Sequence, residues 1–321
     1  MQTMTLSEAV DFLSCKDQFV IFTHRRPDGD TTGCAIALCL GLQSLGKKAI
    51  IWENPQFTPR YESYLQGLLG TNLTAQSTLI SVDVASAQLL PLNFTGSPSQ
   101  IDLAIDHHGS NSGFAKQNLV MPHQAACGEI VFELLTLLKA SISSQMAEAL
   151  YIAVSTDTGC FQYANTTSNT LRVAASLKDL GADTYWINKL FFDTKPYKRL
   201  QLEARMTQAM EFFAGGSVGL CLLPKAWEEE LHLQEDDLDS ISGFARSVEG
   251  VEIGIVIREV EHGDGKISMR TSPMYNASRL CSQLGGGGHA GAAGATVTGG
   301  LEKARAAVLQ VLISAGIVPQ N

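Results

Sequence analysis

With 321 residues, 45% of them hydrophobic and 17% charged, the chain has the make-up of a globular protein long enough for two domains with separate cores. No apolar run approaches the roughly 18 residues of a membrane span. The polar Met1-Gln2-Thr3-Met4-Thr5 start lacks a basic-then-apolar signal, and the seven cysteines contain no CxxC pair, so a cytoplasmic protein with reduced packing cysteines is expected. A formal net charge of −9 leaves little surface for the counterion release that grips long nucleic acid, which favours a small substrate over a polymer.

Short apolar runs alternate with helical patterns up to about residue 190, as βαβ units do. Strands are predicted at Phe19–Phe22, Ala49–Trp52, Leu79–Val82 and Asp102–Ile105. Helices are predicted at Thr32–Leu45, Cys127–Leu138, Met146–Val154, Asn169–Leu180 and Tyr185–Phe192. That pattern makes 1–194 an α/β domain, a mostly parallel, doubly wound sheet covered on both faces. The stretch Lys195–Phe213 is entered by Thr194-Lys195-Pro196 and stopped by Ala214-Gly215-Gly216. It reads as one helix, and 195–215 is assigned as a helical linker. Beyond it Ser217–Leu223, Val251–Glu259 and Lys266–Arg270 read as strands, His262-Gly263-Asp264-Gly265 as a hairpin turn and Leu301–Ala315 as a final helix. Residues 216–321 thus form a smaller α/β domain.

The chemistry concentrates after the strands. Thr23-His24-Arg25-Arg26-Pro27-Asp28-Gly29-Asp30 follows the first of them and places an imidazole and two carboxylates in one loop, although Pro-Asp-Gly-Asp is equally a good turn. Asp83 closes another strand, where on its own it would serve as a helix cap. Asp106-His107-His108 closes the next, and Asp157 ends an apolar helix, where alone it would be a turn residue. A parallel sheet gathers the carboxyl ends of its strands along one edge. Five carboxylates and three imidazoles gathered there would repel one another without cations. A dinuclear centre resolves the conflict, with one shared carboxylate and a bridging water between cations about 3.5–4 Å apart. Mixed oxygen and imidazole donors point to Mn²⁺ first, then Mg²⁺, Co²⁺ or Zn²⁺.

In order and spacing these motifs resemble the DHH phosphoesterase superfamily, named for the Asp-His-His triplet. The resemblance implies one cation held by His24, Asp28 and Asp83, and a second held by Asp30, Asp83, His107 and Asp157, with Asp83 bridging. It places His108 near the substrate phosphate and Asp106 in support of the imidazoles. Thr31, Thr32 and Cys34 depart from the commoner small aliphatic residues and Ser, and are expected to touch packing beside the site but not the ligands. Further on, Leu284-Gly285-Gly286-Gly287-Gly288-His289-Ala290-Gly291 resembles the phosphate-binding motif of the DHHA1 domain. Its glycines let backbone N–H groups approach an anion, and a following helix start is expected to add its positive end. Ser268-Met269-Arg270-Thr271-Ser272 resembles that domain's substrate-gripping strand. Ser272, Gly286, Gly287, Gly288 and His289 are accordingly candidate substrate contacts, and Arg270 could pair a phosphate bidentately, though a lone strand arginine is as often merely solvated.

The resemblance implies hydrolysis of phosphoesters in an interdomain cleft by a bridging hydroxide, with His108, His289, Arg270 and Asp106 as the catalytic group beside the metals. Stand-alone members of this size resemble the bacterial group that degrades oligoribonucleotides of two to five residues and removes the 3′-phosphate of 3′-phosphoadenosine 5′-phosphate (pAp). Two alternatives stand beside it: a phosphodiesterase for linear or cyclic dinucleotide signals (pApA, pGpG, c-di-AMP), and a nucleotide-binding module on the same scaffold. The expected partner is a short oligonucleotide or nucleotide, with no long duplex and no membrane. A homodimer is left open.

Overall fold

The computed structural model describes residues 3–238 and 240–320. The chain divides into two compact units, one ending at Thr194 and one beginning at Lys195.

The first unit opens with α1 (Leu6–Cys15), entered through a capping box in which Thr5 accepts the Glu8 amide and the Glu8 carboxylate accepts the Thr5 amide at 2.7 Å. There follow β1 (Phe19–Phe22), α2 (Gly29–Ser44), β2 (Ala49–Trp52), α3 (Glu62–Leu65), β3 (Leu69–Gly70), β4 (Thr78–Val82), β5 (Leu103–Asp106) and β6 (Gln117–Val120). The helices α4 (Cys127–Leu137), α5 (Ser144–Asp157), α6 (Ser168–Asp179) and α7 (Thr184–Asn188) complete it. All six strands are parallel, in the order β3-β2-β1-β4-β5-β6. The runs are continuously apolar because both faces are buried. Phe19, Ile21, Ile51, Ile80 and Ile105 pack with the helices, while Val20, Phe22, Trp52, Leu79 and Ala104 form a second cluster with Phe94 and Phe114 from the loops after β4 and β5. Winding proceeds outward from β1 in one direction and from β4 in the other. The crevice beyond their carboxyl ends is the topological switch point, where such sheets bind ligands.

The second unit holds α8 (Tyr197–Gln208), β7 (Glu211–Phe213), β8 (Val218–Leu223), α9 (Lys225–Glu230), β9 (Ile253–Glu259), β10 (Gly265–Thr271), α10 (Ala277–Ser282), β11 (Gly287–Gly288), β12 (Ala292–Val297) and α11 (Leu301–Ser314). Its sheet runs β11-β12-β10-β9-β8-β7, antiparallel except for the parallel β8–β9 pair. The expected helix over Lys195–Phe213 is shorter, because Glu211–Phe213 pairs with β8 as an edge strand. Nor does α8 stand apart as a linker: Leu202 and Met206 are buried with Cys221, Leu223 and Val256 of this unit. Among the described residues no helix is long and apolar enough to cross a membrane.

Candidate metal centre and substrate groove

The loop after β1 turns directly into α2. Asp28 caps that helix, its Oδ1 accepting the amides of Asp30 (3.1 Å) and Thr31 (3.2 Å). One capping residue thus fixes the positions of both loop carboxylates. Thr31 binds the ends of β1 and β4 together, since its hydroxyl donates to the Val82 carbonyl at 2.8 Å and lies 3.3 Å from the His24 amide. Asn54 secures the same turn from β2's side by donating to the His24 carbonyl at 2.9 Å.

Asp83 is the pivot. It follows β4 with a left-handed backbone (φ +57°), a conformation that L-residues hold at a cost of about 1–3 kcal/mol and that gathers at functional sites. Its carboxylate points one oxygen each way: Oδ2 lies 3.8 Å from His24 Nε2, and Oδ1 lies 3.5 Å from both His107 Nε2 and His108 Nδ1. Around it the ligand atoms of His24, Asp28 and Asp83 lie within 4.8 Å of one another, as do those of Asp30, His107 and Asp157, and those of Asp83, His107 and His108. His24 Nε2 is 3.4 Å from Asp28, and His107 Nε2 is 3.5 Å from Asp157 and 3.8 Å from Asp30.

Several observations suit divalent cations. Asp83 Oδ1 is buried with no hydrogen-bond partner, an arrangement costly for a bare carboxylate oxygen and ordinary for one facing a cation. His107 Nδ1 lies 3.2 Å from the Gln124 carbonyl, which can only accept, so Nδ1 is the donor there and Nε2 is the nitrogen turned toward the carboxylates. Burial, then the neighbouring charges of Asp157 and Asp28, push Asp30 well above the usual carboxylate range. Burial followed by Asp30 and Asp28 does the same to Asp83. Positive charge relieves both.

Asp30 is held by the amino end of α4, with Oδ2 accepting from Cys127 N at 2.7 Å and Oδ1 from Gly128 N at 2.9 Å. Cys34 also reaches it, Sγ lying 3.3 Å from Oδ1, so this residue touches a candidate ligand and does not serve packing alone. Asp106 is fully buried and faces no open space. Its Oδ1 accepts from the His107 amide (2.8 Å), the His108 amide (3.3 Å) and His108 Nδ1 (2.8 Å), and Oδ2 accepts from Asn111 at 2.6 Å. The Asp106 hydrogen bond raises the His108 imidazole above its ordinary value. Cys127, Gly128, Gln124, Asn111 and Asn54 went unread in the sequence, because each acts through a backbone group or a loop position that no motif marks.

In the second unit a groove of about 680 Å³ is lined by Lys266, Ser268 and Arg270 on one face of β10 and by 285–289 and 292–296. Arg270 donates from Nη2 to Ser242 Oγ at 2.8 Å. The expected helix start after the glycine run is absent. The run instead forms the end of α10 and a hairpin, with the Gly285 and Gly286 amides bonded to Ser282 and Cys281 carbonyls, and Gly287 and Gly288 paired with β12. A Cβ at Gly286 would lie 2.1 Å from the Gly294 carbonyl oxygen, so strand packing alone requires glycine there. His289 is exposed in the hairpin turn. Ser272 is buried and lies outside the groove lining. Lys266, a cation on Arg270's own face, went unread because a single exposed strand lysine carries no signal.

Family models match the chain over residues 18–154 (DHH family, N-terminal domain) and 225–314 (DHHA1 domain). The chain is 34% identical over 299 residues to the Bifunctional oligoribonuclease and PAP phosphatase NrnA of Thermus thermophilus, covering 91% of this chain and 88% of that one. It is 24% identical to the Cyclic-di-AMP phosphodiesterase GdpP of Geobacillus thermodenitrificans over 87% of this chain and 44% of the relative. An exopolyphosphatase-related protein from Bacteroides fragilis shares the fold, with a TM-score of 0.88 at 22% identity over 96% of this chain and 95% of that one. Motifs, fold and extended sequence identity agree: the chain belongs to the DHH family of phosphoesterases and carries a DHHA1 domain.

Proposed function

We propose that this enzyme hydrolyses short oligoribonucleotides to mononucleotides and pAp to AMP, using two divalent cations, Mn²⁺ before Mg²⁺, Co²⁺ or Zn²⁺. The observation that carries the reading is Asp83, a buried carboxylate with an unpartnered oxygen, shared between two groups of His and Asp donors. His24, Asp28 and Asp83 would hold one cation; Asp30, Asp83, His107 and Asp157 would hold the other. Such ions lower the pKa of water and offset charge on phosphoryl oxygens.

The protein's own part is positional. Asp106 orients His108 through Nδ1 and favours its protonated form, and among the described residues Nε2 has no protein partner, so it can donate to a phosphoryl or leaving oxygen. Asp106, enclosed behind the histidines, acts through them and not on substrate. Arg270, with Lys266 beside it, supplies charge for a substrate phosphate, and His289 an exposed imidazole. The names of the relatives support an oligoribonucleotide and pAp substrate, and the acidic chain suits ligands only a few nucleotides long. Seven free cysteines suit a reducing compartment, and we place the enzyme in the cytoplasm.

The test compares rates on a diribonucleotide, pAp and cyclic di-AMP with Mn²⁺. Turnover of the first two, lost in Asp83→Asn, is expected. Turnover of cyclic di-AMP alone would move the assignment to dinucleotide signals, the activity named for the 24% identical relative. Nucleotide uptake without product would make the chain a binding module.

A further inference from the structure

The segment that follows Asp157 is unusual. Gly159, Cys160 and Phe161 stand consecutively in the left-handed region, at φ +55°, +56° and +66°. Glycine adopts that region freely, but Cys160 and Phe161 hold it only with compensation. Here it comes from hydrogen bonds: the amides of Gln162 and Tyr163 both donate to the Thr158 carbonyl at 3.0 Å, and Cys160 donates to Ser155 at 2.7 Å. Asn165 closes the far end, its side chain donating to the carbonyls of Asp157 (3.1 Å) and Ala125 (3.0 Å). Phe161 turns inward against Tyr151, with ring centroids 5.9 Å apart.

Tyr163 does the opposite. Its side chain stays 58% exposed on this rigid turn, and among the described residues its hydroxyl has no partner. The ring lies across Gly159, where a Cβ would fall 2.4 Å from Cε1 and Cζ; glycine leaves the room the ring occupies. Consecutive Cα atoms are 3.8 Å apart, so Gly159 is within about 7.6 Å of Asp157, whose carboxylate meets His107 and Asp30. Single exposed aromatics are ordinary. A half-exposed aromatic ring laid over Gly159, two residues from a candidate ligand, on a turn fixed by backbone bonds, is not, because little of that turn has to be ordered on binding.

The geometry points to Tyr163 as a stacking platform for a nucleobase of the substrate, a substrate-positioning residue outside the motifs that carry the candidate metal ligands. This rests on the nucleotide phosphoesterase reading. Stacking on an aromatic ring accepts any base through its π-face, which suits an enzyme for short RNA of mixed sequence.

The experiment uses the full chain with Mn²⁺ and compares Tyr163→Ala, Tyr163→Phe and Tyr163→Trp on the diribonucleotide ApA and on an analogue lacking its bases. The stack predicts a rise in KM for ApA of about 5- to 150-fold in Tyr163→Ala, the range one base–aromatic contact supplies. The Phe and Trp variants should retain the wild-type value, and none of the variants should differ from wild type on the base-free analogue. In Tyr163→Trp, pAp should quench tryptophan fluorescence beyond any change in the wild type, which already carries Trp52, Trp186 and Trp227. An unchanged KM for ApA in Tyr163→Ala, or an equal loss on the base-free analogue, overturns the platform. A wild-type protein inactive on every nucleotide overturns the phosphoesterase reading instead, while the Trp quenching still decides whether a base stacks there.

Discussion

Gly33→Ala tests whether helix packing sets the geometry of the metal centre. Gly33 lies one turn into α2, against α5; an added Cβ would fall 2.1 Å from the Ala149 carbonyl oxygen and 3.0 Å from Ala153 Cβ. The clash is with backbone, so no rotamer change relieves it. To bring even that contact to 3.0 Å, the two helices must open by about 0.9 Å. The amino end of α2 carries Asp28 and Asp30, and the carboxyl end of α5 carries Asp157. Ligand positions must hold to within about 0.2 Å for a metal, so a separation of this size breaks the set that joins Asp30 to Asp157. Overpacking costs about 1–3 kcal/mol, offset in part by about 0.5–1 kcal/mol from replacing glycine within a helix. We expect a folded protein, less stable by up to about 2.5 kcal/mol, with Mn²⁺ affinity reduced about tenfold or more. Calorimetric Mn²⁺ titration beside a thermal melt of the metal-free form measures both. Wild-type Mn²⁺ affinity in a folded Gly33→Ala protein would refute the reasoning.

Metal binding itself has a predicted stability signature. At 100 times its Kd one cation adds about 2.7 kcal/mol, or about 5–10 °C in the melt of a unit of this size, and Asp83→Asn should abolish the shift. Because Asp30 and Asp83 are raised by burial first and then by neighbouring carboxylates, and Asp157 by burial against the opposing pull of His107, the folded metal-free form keeps protons that the unfolded chain releases. Its stability is therefore full below the usual carboxylate pKa near 4 and falls as pH rises toward the raised folded values, so the Mn²⁺-induced shift should grow with pH; a shift that shrinks would contradict this. In Asp106→Asn the His108 imidazole loses the carboxylate that raises it, and the fall in kcat on the alkaline side should move to lower pH. An unmoved limb would remove His108 as the acid. Arg270→Ala should raise KM for pAp about 10- to 150-fold, the worth of a charged hydrogen bond, with Mn²⁺ affinity unchanged in calorimetry because Arg270 lies in the other unit.

Much of this molecule was open to inspection in the chain itself. The runs around Phe19–Phe22 and Ala49–Trp52 declared strands because burial on two faces demands uninterrupted apolar residues. Asp28, Asp30, Asp83, His107 and Asp157 declared themselves through unusual residue types at strand and helix ends, and the fold brings their donor atoms within a few ångströms. The capping box that opens α1 is also present in Thr5-Leu6-Ser7-Glu8. The short pairs β3 and β11 carried no pattern, since two residues cannot show a period.

Local sequence thus determined which groups could do chemistry, because donor identity and strand periodicity are properties of a few neighbouring residues. Tertiary structure decided how those groups are held. Asp30 meets the amides of Cys127 and Gly128 nearly a hundred positions away, and Asp83 turns one oxygen toward each histidine group. Within the 285–288 run, Gly286 and Gly288 answer to β12, at Gly294 and at Ala292 and Ala293, before any ligand. Such relations depend on which distant backbone lies within hydrogen-bond reach. Distance in space sets them, and spacing along the chain leaves no trace of it.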